Sequence, residues 1–248
     1  MRILIVNPNT TDAVTSLMLD AGRASASPGV EVRAVTAPRG LPYITNRAEA
    51  QIGGAIALEM LAEAQGGCDA AILAAFGDPG LLGARELFEF PVIGISEAAM
   101  LTACMLGGRF LIVTFASLMC GWFRDCVAMH RLEDRCAGVV ALDRGFGSLE
   151  DVRETNWEAL VKLANAAIEE RNADVAILAG APLSGLAHRA RDLIHVPVID
   201  PIAAAVKQAE ALVALGTTKA SRGSFQRPAA KDSLGLSPRL AAYLEHAQ

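Results

Sequence analysis

The chain has 248 residues, of which 52% are hydrophobic and 20% charged, so it can bury a sizeable core and is not a disordered chain. Its formal net charge of −5 offers no basic surface for nucleic acid, and no uncharged run approaches the roughly 20 residues of a membrane span. Five cysteines without a Cys-x-x-Cys pair, and an N-terminal apolar run too short for a secretion signal, predict a reducing, cytoplasmic compartment.

Short apolar runs bounded by turn-forming residues predict eight strands, of which the two repeated ones, at residues 69–75 and 174–180, have the pattern of strands buried on both faces. They lie at residues 2–6, 30–35, 69–75, 91–95, 109–114, 139–142, 174–180 and 196–199. Helix patterns separate the strands, and each begins near a capping residue. The predicted helices follow a Thr10 or Thr11 cap, cover residues 47–65 and 96–106, run from a Ser117 cap to residue 130, and cover residues 148–171 and 201–215, the last opened by Asp200-Pro201.

The two halves of the chain repeat each other. Residues 69–81 and 174–186 are identical at seven of thirteen aligned positions, and three further strand-like segments recur in the same order 106 or 107 residues later. This internal duplication predicts an α/β fold with two pseudo-symmetric lobes, each a four-stranded parallel sheet flanked by helices. Residues 1–98 and about 206–248 would form the first lobe, and residues 99–205 the second.

Two segments fall outside the repeat. The loop at residues 37–45 is long for a strand-to-helix connection and presents Tyr43, which either covers a pocket or anchors a surface loop. Residues 216–248 have no counterpart in the first half. Ser237-Pro238 opens a last helix there, which we expect to wrap back onto the first lobe.

Ligand sites in open α/β sheets lie beyond the carboxyl ends of the strands, so we predict a cleft where the two lobes face each other. Free amides and the positive end of a helix dipole at such a loop favour an anion. Some of these polar residues could instead only cap helices. The predicted cleft is lined by Asn7, Asn9, Thr10, Ala75, Phe76, Gly77, Asp78, Thr114, Gly180, Ala181 and Pro182, with Tyr43 above it.

Three segments and the twofold repeat together resemble a known family. The segments are residues 2–10 (RILIVNPNT), residues 76–80 (FGDPG) and residues 91–98 (PVIGISEA). The chain resembles, over nearly its whole length, the hydantoin racemase branch of the aspartate/glutamate racemase superfamily. That resemblance implies a cofactor-independent enzyme without a metal, and the four histidines also lack the spacing of metal ligands.

The resemblance also implies two catalytic cysteines, one at the end of the third strand of each lobe. These positions hold Ala75 and Gly180, neither of which can transfer a proton. Two-cysteine racemisation is therefore excluded for this chain. The arylmalonate decarboxylase branch keeps the second cysteine, so this chain does not match it either.

A replacement acid or base would have to come from another residue. Asp78 lies on the first loop, His188 follows the second, and Cys120 lies at a helix start where the dipole could lower its thiol pKa. Each has an alternative: Asp78 as a cap of the next helix, His188 as a solvated surface residue and Cys120 as part of the core.

Three hypotheses remain open at this point. The chain is an enzyme that acts on a small carboxylate, hydantoin or related imide as an isomerase, decarboxylase, lyase or hydrolase. Alternatively, it is a catalytically silent binding protein derived from a racemase, or an engineered variant with its cysteines removed. The expected partner is a small carboxylate or imide, with no nucleic acid and no membrane, and the Ala-rich helix surfaces suggest a homo-oligomer.

Overall fold

The computed structural model describes residues 1–64, 66–142, 148 and 150–247. Within these ranges eight strands form two separate parallel sheets, ordered β2-β1-β3-β4 and β6-β5-β7-β8. The two four-stranded sheets confirm the predicted duplicated α/β fold. The strands are β1 Arg2–Asn7, β2 Glu31–Thr36, β3 Ala70–Leu73, β4 Val92–Gly94, β5 Phe110–Thr114, β6 Cys136–Ala141, β7 Val175–Leu178 and β8 Val198–Ile199.

Nine helices surround the sheets in the described part of the chain. They are α1 Asp12–Ser25, α2 Arg47–Glu63, α3 Leu81–Leu87, α4 Ile95–Cys104, α5 Cys120–Met129, α6 Trp157–Arg171, α7 Ala187–Ala190, α8 Pro201–Ala214 and α9 Pro238–Glu245. None of the helices that the structure describes has both the length and the apolar character needed to cross a bilayer.

The repeated segments occupy the same place in both sheets. β3 pairs with β1 and β4, and β7 pairs with β5 and β8, so each is an inner strand. Every residue of both strands is buried, which explains their unbroken apolar sequence. The residues that follow these two strands, 74–76 and 180–182, line one cavity together.

The helix that follows the fourth strand of each lobe packs on the other lobe. α4 follows β4 but packs against β5, β7 and β8, and α8 follows β8 but packs against α1, β3 and β4. The two exchanged helices also contact each other. The residue boundaries of the lobes stay a prediction, but the lobes are joined by more than a linker.

A second, smaller core lies on the outer face of the first sheet. Leu240 and Tyr243 of α9 pack there with Leu61 of α2 and Phe88. The Ser237 hydroxyl caps α9 by accepting from the Leu240 amide at 3.4 Å. The C-terminal helix thus packs on the first lobe.

Several element boundaries differ from the prediction for local reasons. β6 begins at Cys136 instead of residue 139, because a register shift beside Phe110 and a positive φ of 146° at Gly138 interrupt its pattern. α6 begins at Trp157, after a turn of π-helix at Asp151–Thr155, whereas the sequence predicts a start near residue 148. Leu149, in that predicted helix, and Gln65, at the end of another, lie outside the described residues.

The Asp200 cap of α8 is confirmed. Its Oδ1 accepts from the amides of Ile202 at 2.9 Å and Ala203 at 3.1 Å, while its Oδ2 accepts from the Gly185 amide. We expect Asp200→Ala to lower the free energy of unfolding by about 2 kcal/mol, because a buried carboxylate loses three hydrogen bonds from backbone amides. Denaturant unfolding measures this change. Ser237→Ala, which loses one long bond, is the control and should cost less than half as much.

Candidate active site

A small cavity lies between the lobes at the carboxyl ends of β3 and β7. Its volume is about 50 Å³, several times the 10–15 Å³ or so that one water needs, so it accepts only a small molecule. Residues from both lobes line it, and most of their side chains are apolar. They are Asn9, Val14, Tyr43, Ile44, Thr45, Ala74, Ala75, Phe76, Phe115, Met119, Trp122, Phe123, Gly180, Ala181 and Pro182.

The structure brings seven of the predicted cleft residues together at this cavity. They are Asn9, Tyr43, Ala75, Phe76, Gly180, Ala181 and Pro182. Asn7, Thr10, Gly77 and Thr114 do not line it. The Thr114 hydroxyl is fully buried at the end of β5 and has no hydrogen-bond partner among the described residues.

Asn7 does not line the cavity, but its hydrogen bonds position Asn9, which does. Its Oδ1 accepts from the Asn9 amide at 3.1 Å, and its Nδ2 donates to Asn9 Oδ1 at 3.1 Å and to Thr15 Oγ1 at 2.8 Å. Asn9 Oδ1 also accepts from the Thr11 amide at 3.0 Å. Since a backbone amide can only donate, this contact fixes the orientation of the Asn9 amide group. Asn9 Nδ2 is left as a donor in the cavity wall.

The loop at residues 37–45 covers the cavity, as one of the two interpretations predicted. The Thr10 amide donates to the Leu41 carbonyl at 2.9 Å, and the Thr11 hydroxyl donates to the Pro42 carbonyl at 2.7 Å. Thr11 therefore precedes α1 but does not cap it with its side chain, because its hydroxyl is used to hold the loop. An ion pair between Arg47 and Asp125 joins the start of α2 to α5 of the other lobe.

Four backbone amides at the cavity have no acceptor within the described residues. They belong to Ala75, Phe76, Gly180 and Ala181, which follow β3 and β7. The Gly77 amide is different, because it donates to Ser96 Oγ at 2.6 Å. Unpaired amides that meet at one small cavity are suited to bind a carboxylate or carbonyl oxygen.

Aromatic side chains fill the space beside the two glycines that follow the strands. A Cβ at Gly180, where φ is 113°, would lie 2.6 Å from Phe115 Cε1. A Cβ at Gly77, where φ is 114°, would lie 2.2 Å from the Trp122 ring. Sequence reasoning missed Phe115, Met119, Trp122 and Phe123. Their signal was a cluster of large apolar residues directly after β5, which resembles ordinary core.

The structure places Asp78 at the amino terminus of α4 and not in the cavity wall. Its carboxylate is 2% exposed and accepts from the Ser96 amide at 2.9 Å and the Glu97 amide at 2.8 Å. Gly94 leaves the space for it, since a Cβ there would lie 2.4 Å from Asp78 Cγ. The alternative that Asp78 caps the next helix is wrong, because Gly80 precedes α3 without a side-chain cap and Asp78 accepts from the first amides of α4 instead.

Asp78 also joins a buried charge cluster that spans the lobes. His130 Nε2 lies 3.1 Å from Asp78 Oδ2, and His130 Nδ1 lies 3.5 Å from Glu97 Oε1. Burial lowers the pKa of His130, but hydrogen bonds to both carboxylates and to the Cys126 thiol outweigh it and raise that pKa to about 11. Burial opposes the charge on Glu97, yet its bonds to His130 and Arg85 lower its pKa to about 2.

The other two catalytic candidates also lie outside the cavity wall. Cys120 begins α5, but burial raises the pKa of its thiol and Arg124 offsets this only in part. The expectation that the helix start lowers this thiol pKa is therefore wrong, because desolvation dominates. His188 is exposed on the short helix α7. Asp78, Cys120 and His188 therefore do not lie together at one site in the structure.

These features define a class of protein: an α/β protein with a duplicated lobe and a small-molecule cavity between the halves. The chain belongs to the Asp/Glu/hydantoin racemase family, whose sequence model matches residues 3–209. This is a family of enzymes.

Relatives and solved structures agree with this assignment. A hydantoin racemase of Paenarthrobacter aurescens is 31% identical, covering 94% of this chain and all of the relative. An allantoin racemase structure from Klebsiella pneumoniae is 37% identical with a TM-score of 0.91, covering 97% of this chain and 98% of that one. An allantoin racemase from Pseudomonas fluorescens is 34% identical with a TM-score of 0.88, covering 95% and 100%.

Proposed function

We propose that the cavity binds a small hydantoin, an allantoin-type ureide or a related imide or carboxylate. The four unpaired amides of residues 75, 76, 180 and 181 carry this proposal. Together with Asn9 Nδ2 they offer donors to the carbonyl or carboxylate oxygens of such a ligand. The surrounding Phe76, Phe115 and Phe123 rings supply the apolar contact for the rest of a small ring. The names of the relatives support the same substrate class.

We further propose that the chain transforms this ligand without a cysteine pair and without a cofactor. Removal of an acidic proton, or of carbon dioxide, next to a carbonyl creates an enolate-like charge, and the amides would stabilise its oxygen. Among the described residues that line the cavity, Tyr43 alone carries an ionisable side chain, so it is the candidate proton carrier. Isomerisation, decarboxylation, bond cleavage by a lyase and hydrolysis all fit this arrangement.

The second candidate function is a binding protein without catalysis. The observation that favours it is the same cavity wall, where the cysteine positions hold Ala75 and Gly180 and no paired acid and base face each other among the described lining residues. Such a cavity could bind a ligand and release it chemically unchanged.

One experiment distinguishes the two functions. The chain is incubated in D₂O with each enantiomer of allantoin and of a 5-substituted hydantoin, and proton NMR follows the ring C–H signal and all products. Loss of the C–H signal or appearance of a product, above an enzyme-free control, supports catalysis. Saturable binding by calorimetry with an unchanged spectrum supports the binding protein. If the chain neither binds nor transforms any of these compounds, the proposed ligand class is wrong.

Asn9 gives a direct test of the binding site. We expect Asn9→Ala to weaken binding of whichever of these compounds binds by about tenfold or more, because one oriented donor is lost, which corresponds to about 1.4 kcal/mol. Calorimetry measures the change in Kd. Asn165→Ala is the matched control, since Asn165 contacts Leu193 on the outside of the second lobe and should leave Kd unchanged. Equal affinities for both variants would contradict the assignment of Asn9.

Two further sequence predictions remain proposals. Self-association is supported by an exposed apolar patch at the end of α4, where Leu101, Met105 and Leu106 are 42%, 85% and 55% exposed. Sedimentation analysis of the chain and of Met105→Lys tests it. The cytoplasmic location rests on cysteine usage, and fractionation of cells that make the chain tests it.

A further inference from the structure

Outside the cavity, three chemically different side chains meet at the lobe interface. Asp78, Cys126 and His130 each offer one ligand atom, and these atoms lie within 4.8 Å of one another. Cys126 lies in α5, and His130 directly follows this helix, four residues later on the same face. Asp78 comes from the loop after β3. The spacing of the four histidines does not reveal this group, because only one of its three members is a histidine.

We propose that Asp78, Cys126 and His130 form a binding site for a divalent transition metal of the zinc class, which joins the two lobes. One thiolate sulfur, one imidazole nitrogen and one carboxylate oxygen are the donor types that zinc takes in proteins. The separation of 3.1 Å between His130 Nε2 and Asp78 Oδ2 is close to one edge of a zinc tetrahedron, and Cys126 Sγ lies within 4.8 Å of both atoms.

The surroundings of the three ligands have the arrangement of a metal site. A ligating histidine normally donates its other ring N–H to a carboxylate, and Glu97 Oε1 lies 3.5 Å from His130 Nδ1. Arg85 holds Glu97 in turn, with its Nη1 3.0 Å from Oε1. The Asp78 carboxylate is fixed by the two amides at the start of α4. The orientations of the His130 and Asp78 side chains are therefore fixed before a metal ion binds.

An ion can also reach the site. A groove between α2 and α5 is lined by Asp78 and Cys126, and beside them by Gln51, Trp122 and Met129. Water from this groove can take the fourth tetrahedral position. Cys126 is 3% exposed, and the part that is exposed lines this groove.

A catalytic Cys-His-Asp triad does not fit the same residues. Both ring nitrogens of His130 face carboxylates, so neither nitrogen is free to take a proton from a nucleophile. Burial also raises the pKa of the Cys126 thiol to about 11. His130 lowers this pKa, but burial outweighs its effect, so Cys126 is not an activated nucleophile.

The test is a titration of the metal-free chain with Co²⁺, followed by displacement with Zn²⁺. We expect one Co²⁺ per chain, tetrahedral ligand-field bands and a thiolate-to-cobalt charge-transfer band. Cys126→Ser should abolish the charge-transfer band, and Glu97→Gln should weaken Co²⁺ binding by about 10- to 100-fold. Cys136→Ser is the matched control, since Cys136 lies in β6 outside the cluster, and should keep the full band.

Absence of the charge-transfer band in the wild-type chain, or its persistence in Cys126→Ser, would overturn the proposal. A second measurement on the wild-type chain avoids any folding defect of a variant. Crystals grown with zinc should show an anomalous difference peak about 2.0–2.3 Å from Cys126 Sγ, His130 Nε2 and Asp78 Oδ2. A peak elsewhere, or none, rejects the site. Neither result bears on the ligand of the cavity between β3 and β7.

Discussion

Gly180→Ala is expected to lower the free energy of unfolding by about 2–4 kcal/mol. Gly180 has a φ of 113° and a ψ of 136°, a backbone region that only glycine adopts readily, and forcing another residue into it costs about 1–3 kcal/mol. The added methyl would also lie 2.6 Å from Phe115 Cε1, so that ring must move out of a packed wall, at about 1 kcal/mol or more. Denaturant unfolding measures the loss.

Gly83→Ala is the matched control for this prediction. Gly83 lies inside α3 with no positive φ, and a Cβ there would meet its nearest atom, Leu58 Cδ1, at an ordinary 3.8 Å. Alanine is a better helix former than glycine, so this variant should be unchanged or more stable by up to about 1 kcal/mol. If Gly180→Ala were as stable as Gly83→Ala, the strain assigned to residue 180 would be absent.

The same geometry decides how a cysteine pair could be restored. Ala75 already carries a Cβ in the cavity wall, so Ala75→Cys should fold normally. Gly180→Cys meets both the backbone strain and Phe115, and Phe115→Ala would relieve only the second. We therefore expect the double variant Ala75→Cys, Gly180→Cys to be destabilised, and its failure to racemise a hydantoin would reflect the shape of this loop as much as the pocket.

Asp78→Ala is expected to lower the free energy of unfolding by about 3–5 kcal/mol. The change leaves the charged His130 side chain buried beside one carboxylate fewer and removes the acceptor of two amides at the start of α4. Asp78→Asn keeps an acceptor and tolerates the φ of 48°, so it should cost less, about 2 kcal/mol. Unfolding is measured in a chelator, so that no bound ion contributes.

Asp20→Asn is the control for the charge change. Asp20 is exposed on α1, and its substitution should stay within about 0.5 kcal/mol of the wild-type stability. A cost for Asp78→Ala no larger than that of Asp20→Asn would show that the cluster does not hold the lobes together.

The fold could be predicted from the sequence because the strand-like segments of the first half recur in the same order in the second half. The identical positions of residues 69–81 and 174–186 are the inner strands and their loops, where burial on both faces permits only apolar residues. Element ends were less readable. The start of β6 is hidden by the bulge at Gly138, and the start of α6 by a π-turn, and neither leaves a mark in periodicity.

The cavity wall was readable only in part. Residues at the ends of strands, such as Asn9, Ala75 and Gly180, follow from topology alone. Phe115 and Trp122 do not, because an apolar residue in a cavity wall looks the same in sequence as one in the core. Asp78 and His130 are 52 residues apart, so their contact depends on how the lobes meet, which no local pattern records.

The exchange of α4 and α8 between the lobes bears on the ancestry of the chain. A single ancestral half would have carried a helix after its fourth strand whose packing partners belong mostly to the other half, as α4 packs on β5, β7 and β8. Two copies that exchange this helix bury its apolar face in each other, which favours a twofold dimer as the ancestral form. Fusion of the two genes then freed each half to change alone, which is how one inner strand can end in alanine and the other in glycine.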